Sequence, residues 1–489
     1  MIRAIEDGCD KLFGEGSFKK IILKTSSIVT DGAKCNTGEK NGLWALLKQM
    51  RHVSADENTE AETSIPPLMT IWCAAHRSNL AWKSVSESVR ELKHIVIELV
   101  AISSFFHTSG LRTCELKSIA EEKKLSLMRL PKLFEVRWSE FTYDLLNSIL
   151  VSWNVLVLYF MKSTEKSSIG FKNFLTNYDN IYIIAFTADL LFLFSNYQKK
   201  LQSDSLTITD MDKLTKNVLD QIDLLKTQNL LGGWLYNLEL QIENRKEELY
   251  LKCIKLHTTE RRTKQHNKYV TDKRDKQAII NEIRESLMEF LSQRFIQDID
   301  TINILKPFVE LSQQSNIEQV HKILCYDLDL QLFNQEYQEL LMSENIIKYR
   351  NMKPSDLLKL LCTSNEYCNL KIALARIIAA KPSSADVERL ISASNKLKTS
   401  ERARMIVSTE NYYLYIHYNM PALINWDVRK AVLHFMKMKE RRNTNRPKGK
   451  SQNYFKGIFQ EADPVSSESD TEVETEPNTA SGLIKKKKF

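Results

Sequence analysis

Asp31 is the first residue whose type and position suit metal chemistry, because it closes a short β-branched run, Ile28–Thr30, and precedes Gly32. The run predicts a strand, and the residues after it predict a turn into a helix that begins near Gly42. A carboxylate at a strand end is well placed to hold a divalent ion, because the carboxyl edge of a sheet opens into a crevice. The alternative is an ordinary Asp-Gly turn without a chemical role.

Cys73 and His76 form a second candidate site, after a strand-like run, Leu68–Trp72, and at the beginning of a predicted helix. A Cys-x-x-His pair is half of a zinc site, but structural zinc takes four ligands. No second pair stands at a usable spacing in the sequence. The pattern therefore favours a role without zinc.

Arg137 and Trp138 are a third candidate, at the end of the run Leu133–Trp138. An indole beside a guanidinium suits an unstacked nucleobase, since stacking contributes about 1–3 kcal/mol per base. The alternative is a pair at the edge of the core, with the cation at its rim.

The segment from residue 376 to 419 supplies the strongest pattern in the chain. A β-capable run, Ile377–Ala380, ends before Pro382, and Ser383 or Ser384 then offers a hydroxyl that can cap a helix. Apolar residues at helical spacing predict one helix there, and a Tyr/Leu-rich run predicts a second. Two apolar helices predict a docking surface, unless they only close the chain's own core. Its expected contact residues are Leu390, Ile391, Tyr412, Leu414, Tyr415 and Ile416.

Composition indicates a folded intracellular protein. The 489 residues suffice for two or three domains, and 43% apolar with 27% charged residues is ordinary for a soluble chain. No stretch reaches the roughly 18–20 uninterrupted apolar residues of a membrane span, so we predict no membrane partner. Eight scattered cysteines predict reduced thiols. The net charge of +8 permits DNA as a partner, and no small-molecule substrate is indicated.

The motifs above together resemble the hAT superfamily of transposases. The matching phrases are Thr30-Asp31-Gly32-Ala33, then Cys73-x-x-His76 with Asn79-Leu80, then Arg137-Trp138, and finally Pro382-Ser383-Ser384-x-x-Val387-Glu388-Arg389-x-x-Ser392. The resemblance implies an α/β plus all-α fold, with an incomplete RNase H-like mixed sheet and a large helical insertion in a predominantly helical chain. The implied domains are residues 1–140 for the first part of the core, 141–368 for an all-helical insertion and 369–436 for the dimerisation segment that completes the core.

The resemblance also implies roles for single residues. Asp31 and Glu388 match two of the three carboxylates that hold Mg²⁺ or Mn²⁺ in active members. Glu388 is otherwise an acidic residue in a first helical turn, where the helix dipole favours it. The region that contacts nucleic acid in the family corresponds to Trp138, Arg137, His76 and Cys73. The C-terminal segment implies a homodimer or a higher oligomer.

Catalysis is expected to be lost. Two-metal chemistry requires carboxylates around ions about 3.5–4 Å apart. The family's first carboxylate lies on a strand well upstream, and thirty residues precede Asp31, so we expect that carboxylate and the family's zinc finger to be missing. We therefore predict a domesticated or truncated hAT-like protein that needs no cofactor and acts through dimerisation, with possible DNA binding. Two alternatives stay open: an active transposase or nuclease with an incomplete gene model, and a nuclear regulator of the SUMO-ligase-like hAT-derived group.

Residues 437–489 predict a disordered charged tail, because they are basic, then acidic, and poor in apolar side chains. Its basic runs, 441–450 and Lys485–Lys488, are of the kind that serves nuclear import, so the nucleus is the expected location and the cytoplasm the alternative.

Overall fold

A computed structural model describes residues 2–56, 65, 67–132, 138–258, 262–265, 268–271, 275–399, 402, 404–420, 425–426, 428–429 and 432. The chain divides into two compact units, residues 1–405 and 406–489. The boundary therefore falls inside the segment 369–436, which the sequence analysis treats as one piece. The described part is predominantly helical, as predicted. All eight cysteines are free thiols, which also agrees with the prediction.

The first part of the larger unit contains both strands of a parallel pair. Its elements are α1 (Ile2–Phe13), α2 (Ser17–Lys24), β1 (Ser27–Thr30), α3 (Lys34–Thr37), α4 (Leu43–Asp56), β2 (Met69–Trp72), α5 (Ala74–Ser88), α6 (Arg90–His107) and α7 (Gly110–Lys123).

The middle of the chain is a helical block with short antiparallel strands. Its elements are α8 (Trp138–Lys162), α9 (Lys166–Leu175), α10 (Tyr178–Leu201), α11 (Met211–Leu224), α12 (Trp234–Gln241), β3 (Ile242–Arg245), β4 (Glu248–Leu251), β5 (Ile254–Lys255), β6 (Arg262–Gln265), β7 (Lys268–Thr271), α13 (Lys276–Phe295), α14 (Ile299–Val309), α15 (Ile317–Leu324), α16 (Leu330–Leu341), α17 (Ile346–Arg350) and α18 (Pro354–Leu361).

Three further helices follow the helical block toward the C-terminus. They are α19 (Cys368–Ala379) and α20 (Ala385–Leu397) in the first unit, and α21 (Val407–Asn419) in the second. The run Ile377–Ala380 was predicted to be β-capable, but Ile377 to Ala379 form the last turn of α19. The reason is a helical pattern in a wider window, since Leu370, Ala373, Leu374 and Ile377 are the buried residues of that helix.

The parallel pair lies between two hydrophobic clusters. Ser27 stands opposite Met69 and Thr30 opposite Trp72, so both strands point the same way. Successive side chains of a strand face opposite sides, and Val29 and Ile71 accordingly belong to the large core of the helical block. Ile28 faces the other way, onto a small cluster whose buried members are Phe18, Ile22, Leu43 and Leu47. Both faces of the pair are therefore covered.

The predicted insertion, residues 141–368, is not all-helical. Strands β3, β4 and β5 form an antiparallel sheet, and β6 pairs with β7. Helix α12 ends at Gln241, and strand β3 begins at the next residue. Two-residue turns then reverse the chain, and their four residues have positive φ angles: Lys246 (51°), Glu247 (64°), Lys252 (48°) and Cys253 (66°). The usual sequence signal of a two-residue hairpin turn is Asn-Gly or Asp-Gly, and neither pair occurs at these two turns.

Two helices in the block, Ser139–Lys162 and Tyr178–Leu201, are long and apolar enough to cross a membrane by length and composition. In each, 67% of the most apolar stretch is buried inside the protein. Helices that are apolar on all sides belong either to a protein interior or to a membrane. Packing in the core accounts for most of this apolar surface, and the absence of a membrane partner stays a prediction.

Candidate functional site

The carboxyl ends of β1 and β2 bring two predicted site residues to one edge. Asp31 follows β1 and Cys73 follows β2, and the strands are paired in register up to Thr30 and Trp72. The Cys73 N–H extends this pairing by donating to the Thr30 carbonyl oxygen at 2.7 Å. Asp31 is exposed, whereas Cys73 is completely buried.

The C-terminal segment closes the same edge. The Ala74 N–H donates to the Pro382 carbonyl oxygen at 2.8 Å. The Ser384 hydroxyl lies 3.3 Å from Cys73 Sγ and 3.4 Å from Glu388 Oε1, and its single proton serves one of them at a time. Hydrogen bonds thus connect the β1 end, Cys73 and the helix that carries Glu388, although Cys73 and Ser384 are 311 positions apart.

The side-chain cap predicted from Ser384 is not formed, and Ser383, one position before the N-cap of α20, satisfies the N–H of the first helical residue instead. Its Oγ accepts the Ala385 N–H at 3.2 Å. Ser384 occupies the N-cap position of α20, but its side chain makes no capping bond. The hydroxyl of Ser384 is therefore left for Cys73 and Glu388.

The Asp31 side chain stabilises the loop that follows β1. Its Oδ1 accepts the Ala33 N–H at 3.1 Å and the Asn36 amide at 2.7 Å. This is the local turn that the sequence analysis gave as the alternative to a metal site. Gly32 is required beside it, because a Cβ atom there would overlap the Trp72 indole.

A two-metal centre does not fit the residues described at this edge. Asp31 and Glu388 would have to hold Mg²⁺ or Mn²⁺ together with further carboxylates. Among the residues that the structure describes, no group of three or more His, Cys, Asp and Glu side chains is placed to hold a metal ion. The described residues at this edge therefore do not supply the ligand set of a two-metal centre.

The four residues predicted to contact nucleic acid have different positions. Cys73 is enclosed and accepts hydrogen bonds from the C-terminal segment, so burial removes it from direct contact with DNA. His76 is half-buried in the first turn of α5. Arg137 lies outside the described residues, and of Trp138 only the backbone, at the start of α8, is described.

A buried polar network fixes the start of α8. Ser139 Oγ lies 2.6 Å from Asn79 Oδ1 and 2.8 Å from Gln198 Oε1. Gln198 Nε2 donates to the same Asn79 oxygen at 2.9 Å and lies 3.3 Å from Ser78 Oγ. Because Ser139 follows Trp138, these bonds hold the backbone of the predicted base-stacking residue against α5. The sequence motifs did not reveal Ser139 or Gln198, because Gln198 stands beside Lys199 and Lys200 at the polar end of α10 and carries no local sign of burial.

Arg77, the residue after His76, is a third residue that the sequence motifs did not reveal. Its guanidinium is buried, lies 5.6 Å from the Trp72 ring centroid and 4.6 Å from that of Phe295, and pairs with Asp298. It also donates to the Arg294 carbonyl oxygen at 3.0 Å. Burial of a cation is costly unless it is paired, so Arg77 serves to lock β2 and α5 onto α13.

The predicted dimerisation residues are mostly exposed. On α20, Leu390 is 40% and Ile391 53% exposed. On α21, Tyr412 is 72%, Tyr415 65% and Ile416 53% exposed, while Leu414 is half-buried. Exposed clusters of large apolar side chains commonly mark surfaces that bind another protein.

Arg389 ties α20 to the end of α10. Its guanidinium pairs with Asp204 and Asp386 and donates to the Gln202 carbonyl oxygen at 3.2 Å. Lys381 donates to the Asp204 carbonyl oxygen. These contacts give the Val387-Glu388-Arg389 phrase a structural role. No family model matches the chain, so the hAT resemblance rests on its motifs.

Proposed function

We propose that the chain is an hAT-transposase-derived nuclear protein that acts by associating with itself through α20 and α21. The observation that carries this proposal is the exposure of large apolar side chains on both helices. On α20 they are Val387, Leu390 and Ile391, and on α21 they are Tyr412, Tyr413, Tyr415, Ile416 and Tyr418.

Energetics favour covering these side chains. Burial of apolar surface stabilises by about 25 cal/mol per Å². Tyrosine is also enriched at protein interfaces, because its ring is apolar and its hydroxyl can still bond to water or a partner. On α20 the charged residue Arg389 is bound to the segment that follows α10, and Leu390 and Ile391 remain in solvent. Ion pairs of Arg389 therefore hold α20 in place, while Leu390 and Ile391 remain available to contact a partner.

Sedimentation of the full chain tests self-association. At tens of micromolar the wild type should sediment as a dimer or larger species. The substitutions Ile391→Glu on α20 and Tyr415→Glu on α21 should each shift the chain toward monomer, because each would bury a charge at the interface.

Matched controls add the same charge without removing an apolar side chain. Asn217→Glu on α11 and Asn334→Glu on α16 alter exposed positions outside α20 and α21 and should leave the assembly unchanged. A wild-type chain that stays monomeric across the concentration range would refute the proposal. So would an oligomer that both apolar substitutions leave intact.

We further propose that the β1–β2 pair is the remnant of an RNase H-like sheet that serves structure rather than catalysis. Support comes from the parallel connection through α4, from Asp31 at its carboxyl edge and from the bonds that bring Glu388 to Cys73. Asp31 also uses one carboxylate oxygen to close its own loop.

A cleavage assay tests this second proposal. The full chain should not cut hairpin-tipped transposon ends in the presence of Mg²⁺ or Mn²⁺. Robust cleavage that Asp31→Ala abolishes would overturn the structural role, while self-association would be unaffected by that result. Asp31→Asn should instead lower stability only slightly, since Asn can still accept bonds at the turn.

A further inference from the structure

The outer edge of β1, the side that faces away from β2, has backbone groups without partners. Along a parallel pair, alternate residues of each strand bond to the neighbouring strand. The Met69 N–H donates to the Ser26 carbonyl oxygen at 2.9 Å, and this bond fixes the alternation. The N–H and C=O groups of Ser27 and Val29 therefore point away from β2. In the part of the chain that the structure describes, no group bonds to them.

This edge also lacks the usual protection against strand pairing. Free strand edges pair readily with other strands, and charged side chains are a common safeguard. Strand β3, which is an edge strand of its own sheet, carries the exposed residues Glu243 and Arg245. Strand β1 has the sequence Ser-Ile-Val-Thr, without a charge and rich in β-branched residues. Because both faces of the β1–β2 pair are covered, a further strand can join only at an edge.

Opposite charges stand at the two ends of the outer edge of β1. Lys24 ends α2, Asp31 follows β1, and both are exposed. Asp31 uses only Oδ1 to hold its loop, and Oδ2 accepts no bond from the described residues. The outer edge of β2, formed by Thr70 and Trp72, has no charged residue within three positions of either strand end. An antiparallel copy of β1 matches the charges, because each Lys24 then approaches the Asp31 of the other copy.

We propose that β1 pairs antiparallel with β1 of a second copy of the chain, which joins the two β1–β2 pairs into one continuous sheet. With Ser27 opposite Val29 of the other copy, these residues exchange both of their backbone bonds, and the symmetry of the contact repeats the exchange. Such a contact closes after two copies. It is separate from the proposed association through α20 and α21 and does not depend on it.

Sedimentation of the full chain carrying both Ile391→Glu and Tyr415→Glu separates this contact from the helical one. At hundreds of micromolar this double variant should still form dimers. Adding Val29→Pro should weaken them at least about tenfold, because proline removes an outward N–H that both copies use. Thr70→Pro is the matched control, since it removes an outward N–H from β2 and should change nothing. Neither proline removes a bond between β1 and β2, and edge strands tolerate proline at such positions.

A synthetic peptide of residues 24–32 gives a second measurement that requires no change in β1 itself. It should bind the same double variant in a calorimetric titration, because it presents the same strand edge. Methylation of the Val29 nitrogen in the peptide should weaken binding at least about tenfold. Lys24→Glu in the peptide should weaken binding at low salt, because its carboxylate would face Asp31. A scrambled peptide of the same composition is the control and should not bind.

The outcomes decide between a second copy and other occupants. The proposal fails if the double variant is monomeric at hundreds of micromolar, if Val29→Pro and Thr70→Pro have equal effects in folded chains, or if methylation leaves peptide binding unchanged. A scrambled peptide that binds as tightly would assign the edge to any extended segment and overturn the choice of a second copy. If Val29→Pro does not fold, as judged by circular dichroism, the peptide decides.

Failure of the helical proposal is recognised separately. In that case Ile391→Glu and Tyr415→Glu leave the assembly of the wild type intact, and the effect of Val29→Pro still decides whether β1 forms a contact.

Discussion

Helices α10 and α21 have similar residues and opposite surroundings. Both carry apolar side chains on every side, yet Leu190 and Phe194 of α10 are completely buried, whereas Tyr412 and Tyr415 of α21 are largely exposed. Of all α21 residues, only Glu410 is buried. The composition of a helix therefore does not decide whether it is covered. Helix α10 is covered by its neighbours in the same unit, and we propose that α21 is covered by a second copy of the chain.

The largest expected effect contrasts these helices directly. Phe194→Ala should lower the free energy of unfolding by about 3–5 kcal/mol, because it leaves a cavity in the core. Tyr415→Ala should change it by less than about 0.5 kcal/mol in the monomer, since an exposed side chain loses little. Urea unfolding at low protein concentration measures both. Equal losses would mean that α21 is packed as tightly as α10, and the comparison would be wrong.

A second prediction concerns the buried charge on α10. Asp189 accepts the Trp234 N–H at 2.7 Å and the Leu235 N–H at 2.9 Å, and so caps the first turn of α12. Asp189→Ala should cost about 1–3 kcal/mol, because both donors lose their acceptor inside the protein. Asp189→Asn should cost less, as it keeps one acceptor. An unchanged midpoint for Asp189→Ala would show that water reaches the first turn of α12 and replaces the carboxylate.

The same carboxylate gives stability a pH dependence. Burial raises the pKa of Asp189, and the two N–H bonds oppose this rise without reversing it. The folded state therefore binds the proton more readily than the unfolded state. The contribution is fully present below the unfolded pKa, about 3.9, and is lost as pH rises through the folded value. The stability difference between wild type and Asp189→Asn should shrink from pH 4 to pH 7 in unfolding experiments, and a difference that grows would contradict the shift.

The smallest expected change in the free energy of unfolding concerns the turn between β4 and β5. Cys253 is exposed in a turn at φ 66°, between Leu251 and Ile254, which are buried. Cys253→Gly should raise the free energy of unfolding by up to about 1 kcal/mol, because glycine adopts this conformation without strain. Cys253→Ala keeps the strain and serves as the control. A gain for alanine as large as that for glycine would point to loss of the thiol instead.

The strands and helices beside the site were predictable because local signals agreed. The β-branched run before Asp31 forms β1, and the residues after Cys73 form α5. The sheet β3–β5 was missed because its turns use Lys-Glu and Lys-Cys, which favour helix as readily as a turn. Ile377 shows the opposite error: its β-branched side chain predicted a strand, but the residue is helical because it packs on the buried face of α19.

The candidate site was harder to predict than its elements. Periodicity placed Asp31 at a strand end and Glu388 in a first helical turn, but it gave no reason for the two to be connected. That connection depends on Ser384 beside Cys73, a long-range contact that only the hAT resemblance suggested. The buried guanidinium of Arg77 had no local signal either, because its partners Trp72, Phe295 and Asp298 come from distant parts of the sequence.

The bond from Ala74 to Pro382 also bears on how the protein is made. The ribosome adds about 5–20 residues per second, so the 311 positions between Cys73 and Ser384 take roughly 15–60 s to synthesise. During that interval β1 and β2 can already pair, while the Cys73 thiol still lacks the segment that encloses it. The C-terminal segment therefore covers this edge of the sheet only late in translation, and until then the Cys73 thiol is accessible.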